Sequence, residues 1–173
     1  MILFACRIVA WGSLVCLAAI VGAAIYFAAD IQAFGRLAQQ GAALPIQWAT
    51  VEPAQLYALW LSTLIYLTPG AIALWFLSVA FRRFASGAWF DPASSIAFRR
   101  FALLLLLQTG LQPIHSAMSS VVLSMNHPPG QKILSITLGT NELKSIGLAL
   151  IIWVIAELIR RGRSLEEENE AFV

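Results

Sequence analysis

Four long apolar runs, Ile8 to Ala28, Leu56 to Phe81, Phe101 to Met125 and Ser145 to Ile159, occupy most of this chain. About 20 helical residues cross the ~30 Å hydrocarbon core of a bilayer, and the first three runs reach that length. Lipid cannot pair with backbone N–H and C=O groups, so runs of this length cross as helices, which satisfy those groups internally. The expected fold is all-α: a polytopic membrane four-helix bundle, one integral membrane domain over residues 1–173. Its spans fall at about 7–29, 55–81, 100–125 and 142–160, followed by a tail at 161–173.

Composition agrees. Hydrophobic residues make up 60% of the 173 and charged residues only 12%, about half the ~25% charged share of soluble domains. The connections between runs are too short for a separate globular domain. A net charge of +2, with basic residues placed beside the runs, argues against direct nucleic-acid contact. Arg7 followed by a long apolar stretch exceeds the ~7–15 residue core of a signal peptide, so an uncleaved first span is expected. Cys6 and Cys16 lie ~15 Å apart along one helix and cannot pair with each other.

Charge orients the chain through the Lys and Arg excess of cytoplasmic segments. Arg7, Arg82, Arg83, Arg99, Arg100, Arg160, Arg161 and Arg163 fall on one side, and only Arg36, Lys132 and Lys144 on the other. Both termini and the middle connection are therefore expected in the cytoplasm. The fourth run is the shortest at ~22 Å of helix rise, with Lys144 and Arg160 able to snorkel outward; a re-entrant segment is the alternative.

Local signals refine the picture. The first helix should continue through Ile31, Phe34 and Leu37 to a stop at Gly41, and Thr50 should cap the second span. Pro69 and Pro113 predict bends inside the second and third spans. Asp91 before Pro92 marks the start of the third helix. Ile133 to Leu138 alternates and is rich in β-branched residues, which predicts a short strand; paired with Ile46 to Val51 it would form a small two-stranded external cap.

Two motifs then point to a family: Gly87-x-x-Phe90 after the second span, and the ending Arg161-Gly162-x-x-Leu165-x-x-Glu168-Asn169-Glu170-x-x-Val173. In these the chain resembles the membrane family catalogued as domain of unknown function (DUF) 2975, departing at Ala171 and Phe172. The resemblance implies a bacterial inner-membrane protein with four spans, commonly encoded near a small helix-turn-helix regulator, and it implies no established activity.

Three functional readings follow. The first is a non-enzymatic partner of a cytoplasmic protein, such as a small transcriptional regulator, docking through Gly87, Phe90 and Asp91 and through Leu165, Glu168, Asn169 and Glu170 of the acidic tail. The second is a small transporter or ligand-binding bundle. Gln108, Gln112, His115 and Ser119 recur at i, i+4, i+7 and i+11 on one face of the third span, and act either as a polar pocket or as hydrogen-bonding glue to Thr63 and Tyr66. The third, an enzyme built on Ser119, Ser120 and His127, lacks an acidic partner. No metal or other cofactor is expected, membrane lipid is an expected partner, and a homo-oligomer is left open. Glu157 should pair with Arg160 or Arg161.

Overall fold

In the computed structural model, residues 2–41, 45–87, 91–137 and 139–170 are described, without the side chains of 163–170. Five helices account for most of them: α1 (Ile2–Ala29), α2 (Ile31–Gly41), α3 (Pro53–Ala85), α4 (Pro92–Ser124) and α5 (Thr140–Glu170), with a 3-10 turn at Trp48–Thr50. Helices α1, α3 and α4 are each long and apolar enough to cross a membrane. Ile65, Ile114 and Val154 are each more than half exposed. An outer surface that apolar suits acyl chains and not water.

The helix ends follow from local chemistry, with two departures from expectation. Asp30 interrupts the first helix: its carboxylate accepts from Ala33 N at 2.9 Å and so caps a separate α2. That short amphipathic helix buries Ile31 and Phe34, and Gly35 lets Leu56 approach to 3.0 Å of where a Cβ would stand. At the start of α3 the cap is Glu52 and not Thr50. Thr50 donates to Gln47 O within the 3-10 turn, while Gln55 reaches back to accept from Glu52 N at 2.8 Å. Helix α4 begins as expected, with Asp91 accepting from Ala93 N.

Close packing runs α1 on α3, α3 on α4, and α4 on α5, with α2 against α1 and α3. Helix α3 lies between α1 and α4, and α4 between α3 and α5. Small residues permit the approach: Ala73, Ala80, Ala102, Ser78 and Ser94 have no exposed surface. Near the basic end, Phe98 packs edge-on and tilted against Phe81 and Phe84. At the other end Gln55 donates to Val122 O at 2.6 Å and accepts from Asn126, tying α3 to the end of α4. His127 Nε2 accepts from Gln47 N at 3.1 Å, which leaves Nδ1 to donate to Gln131 O at 3.2 Å.

The strand cap is corrected: among the described residues there is no strand. Residues 131–137 belong to no regular element, and alternate residues of the segment bond helix α4. Ser124 Oγ accepts from Ile133 N at 2.9 Å and lies 3.2 Å from Ile133 O. Ser120 Oγ accepts from Ser135 N at 2.9 Å. Ser116 Oγ donates to Ser135 O at 3.1 Å and meets Thr137 Oγ1 at 3.0 Å. Four helical residues rise ~6.0 Å and two extended ones ~6.7 Å, so a serine on every turn of α4 meets every second residue of the segment. N–H and C=O of one extended residue share an edge, which is why single serines serve both groups of Ile133 and Ser135. Leu134 and Ile136, the alternate residues, are mostly exposed.

This zipper leads the chain from the Ser124 end of α4 down to Ser116. Helix α5 therefore begins beside the middle of α4, where Glu142 accepts from Gly139 N at 2.7 Å and closes its first turn.

Candidate functional site

The four polar residues of α4 do not act together. Gln108 and Gln112 line a cavity of about 180 Å³ with Tyr66 of α3 and Asn141, Glu142 and Ser145 of α5. The side-chain oxygen of Gln112 is buried there without a hydrogen-bond partner. Gln108 occupies space left by Gly70, where a Cβ would come within 2.3 Å of its amide oxygen. The glycine beside Pro69 thus makes room for a polar side chain between α3 and α4. Glu142 contributes a carboxylate with one oxygen bonded to Gly139 N. The cavity offers amide and hydroxyl groups, which can both donate and accept, and one carboxylate.

His115 faces elsewhere. Its Nδ1 lies 3.0 Å from Ser62 Oγ, and its ring stacks on Tyr66 at 4.9 Å. Ser62 takes the role expected of Thr63, whose hydroxyl instead donates to Leu59 O of its own helix. The Ser62–His115 contact has the two leading members of a nucleophile–base pair. No carboxylate orients the imidazole among the described residues, and the space beside it is about 30 Å³. It is an interhelical bond. Ser119 donates to His115 O at 2.7 Å, within α4. Ser120 belongs to the zipper, and both nitrogens of His127 are taken by backbone groups. Among the described residues no group of three or more His, Cys, Asp or Glu could hold a metal ion.

At the basic end, α3 closes on Ser86, whose N–H bonds Arg82 O and Arg83 O, and Gly87 turns away at φ +87°. Among the described residues nothing lies within 4 Å of its missing Cβ. The left-handed backbone, not crowding, is what calls for glycine. Asp91 caps α4 and forms an ion pair with Arg83, bracing the turn. Phe90 lies outside the described residues. The backbone of α5 is helical through Glu170, whereas the side chains of Leu165, Glu168, Asn169 and Glu170 lie outside the described ones. Glu157 accepts from Arg160 at 2.6 and 2.9 Å and from Arg161 at 2.9 Å.

Sequence reasoning missed Asn141, Glu142 and Ser145 as companions of Gln108 and Gln112. It also missed the Ser116, Ser120, Ser124 ladder, although the i, i+4, i+8 spacing was there to read.

A family model described as a protein of unknown function, DUF2975, matches residues 42–173. No curated protein and no solved structure matches the chain.

Proposed function

We propose, for a chain that belongs to the DUF2975 family of proteins of unknown function, a non-enzymatic membrane protein that binds a small protonated amine between α3, α4 and the start of α5. In this reading all four apolar runs cross the inner membrane of a bacterial cell, the last as a composite of the zipped segment 131–137 and α5. Both termini are cytoplasmic, on the side that holds Arg7, Arg82, Arg83, Arg99, Arg100, Arg160, Arg161 and Arg163.

The observation that carries the ligand is the buried, unpartnered oxygen of Gln112 in a cavity that also holds the Glu142 carboxylate. A buried acceptor without a donor costs about 1–3 kcal/mol, and a cationic donor relieves it. The cavity's 180 Å³ accommodates about six water-sized groups at ~30 Å³ each. Ethanolamine is a fitting probe. Titrated into full-length protein in mild detergent, it should raise the unfolding temperature saturably, as any ligand of the folded state does. Glu142→Gln keeps a side chain able to bond Gly139 N but removes the charge, and should abolish the rise, as should Gln112→Leu. Acetate should have no effect. A flat wild-type titration, or equal shifts in the variants, would reject this site.

A second reading has its own support. Because α5 is unbroken from Thr140 to Glu170, the backbone of the acidic tail as far as Glu170 continues the element that lines the cavity. A cytoplasmic protein docked on the tail and on Gly87 and Asp91 would sit about 45 Å along one helix from the ligand. Deleting residues 165–173 should then release a stoichiometric co-purifying protein while the bundle still elutes as a folded species. Retention of that protein after the deletion would refute tail docking.

A further inference from the structure

The basic end of the molecule carries a second cavity that the amine reading does not use. It measures about 210 Å³ and lies between α4 and α5, lined by Ser95, Ile96, Arg99, Trp153, Glu157 and Arg160 among others. We infer that this groove binds one anionic phospholipid, its phosphate held by Arg99 and Arg160 and one acyl chain running down the cleft between the two helices.

The charge balance comes first. The Arg99 guanidinium lies 5.0 Å from the centre of the Trp153 ring and forms no salt bridge to a carboxylate among the described residues. Glu157 is shared between Arg160 and Arg161. Of the charged groups that line the groove, Arg99 and Arg160 stand against the single Glu157 carboxylate, which leaves the described lining cationic. Guanidinium donors suit phosphate oxygens, and stacking on Trp153 pre-orients Arg99 without using its donors.

The shape of the surroundings selects a lipid over a free phosphate. From Arg99 toward the middle of the protein, Leu103 and Leu107 continue the same face of α4, both about half exposed. From Trp153, Leu150 and Ile146 continue the matching face of α5, also exposed. The result is a cationic mouth with an indole at its rim, above two facing rows of apolar side chains. Basic pockets between membrane helices on the cytoplasmic side are where anionic headgroups are drawn, and tryptophan favours that depth. A phosphate ion would use the mouth alone; a phospholipid uses the whole groove.

The test counts bound lipid by native mass spectrometry of full-length protein in detergent containing equal amounts of phosphatidylglycerol and phosphatidylcholine of the same chains. One phosphatidylglycerol should be retained in preference to phosphatidylcholine. Arg99→Gln should lower its retention about five-fold, the effect of one surface charge near an anionic headgroup. Arg82→Gln, over Trp75 on α3 and outside the groove, should leave it unchanged. Arg99→Lys should restore part of the retention, which separates lost charge from lost fold, and Arg160→Gln gives an independent second measurement. Equal retention of the two lipids, or retention indifferent to both Arg99→Gln and Arg160→Gln, would overturn the inference. Displacement by millimolar glycerol phosphate as effective as by the lipid would also overturn it, leaving a phosphate site without lipid specificity.

Discussion

Replacing Ser120 and Ser124 together by alanine is expected to destabilise the protein by about 2–5 kcal/mol. Both hydroxyls are buried, and they are the acceptors for Ser135 N and Ile133 N. Removing them strands two backbone donors that neither lipid nor another part of the described chain can satisfy. The segment 131–137 should detach. The measurement is unfolding of the purified protein in a mixed-micelle denaturant series, together with protease cleavage between residues 128 and 139. Ser119→Ala is the control. Its hydroxyl only repeats a bond to the carbonyl of His115, so it should change stability by less than about 0.5 kcal/mol. Equal stability of the double variant and the parent would mean that the zipper contributes nothing.

Ala102→Leu is expected to cost about 3 kcal/mol, at the upper end of what overpacking a filled core produces. Ala102 has no exposed surface on a helix that has α3 on one side and α5 on the other. Three added carbons must either push α3 and α4 apart or force strained rotamers. Leu103, the next residue, is 47% exposed on the apolar outside, and Leu103→Ala should be nearly silent in detergent. The pair of measurements, by thermal unfolding, separates packing from hydrophobicity at adjacent positions. A silent Ala102→Leu would show that α3 and α4 are not held as close as their small residues imply.

Much of the architecture was legible because its cause is local. Asp91 and Pro92 start α4 where capping chemistry says they should. Other features depend on what a residue meets. The first helix was expected to run on to Gly41, yet an aspartate such as Asp30 can end one helix and cap the next in the same step. Thr50 and Glu52 are both able to cap; the winner is the one whose third residue onward, Gln55, returns a bond. Period-two alternation in Ile133 to Leu138 was read as a strand. It reports an extended backbone, and says nothing about whether the partner is another strand or a column of serines. The polar stripe of α4 illustrates the same limit. Helical spacing placed Gln108, Gln112, His115 and Ser119 on one side, but that side covers three turns and meets different neighbours at each. Gln108 and Gln112 face α5 as well as α3, His115 meets Ser62 and Tyr66, and Ser119 turns back on its own helix.

The serine column and the extended segment are two rulers of unequal pitch, and their mismatch sets a length. Each step along the extended chain outruns the helix by ~0.7 Å. The drift is visible rung by rung. Ser124 meets both N–H and C=O of Ile133 closely, Ser120 keeps the N–H of Ser135 but stands 3.5 Å from its carbonyl, and Ser116 bonds Ser135 O and a side chain in place of the next N–H. The next position up the column is Gln112, and Gly139 N is taken by Glu142, so the serine ladder has three rungs among the described residues. Like a vernier, it also has one position of best coincidence, at Ile133. An insertion or deletion of one residue between Pro128 and Lys132 would move that coincidence off Ser124 and turn the opposite backbone edge toward α4. The depth at which α5 begins, and with it the mouth of the cavity at Gln112, is thereby metered by two lengths of chain that never form a sheet.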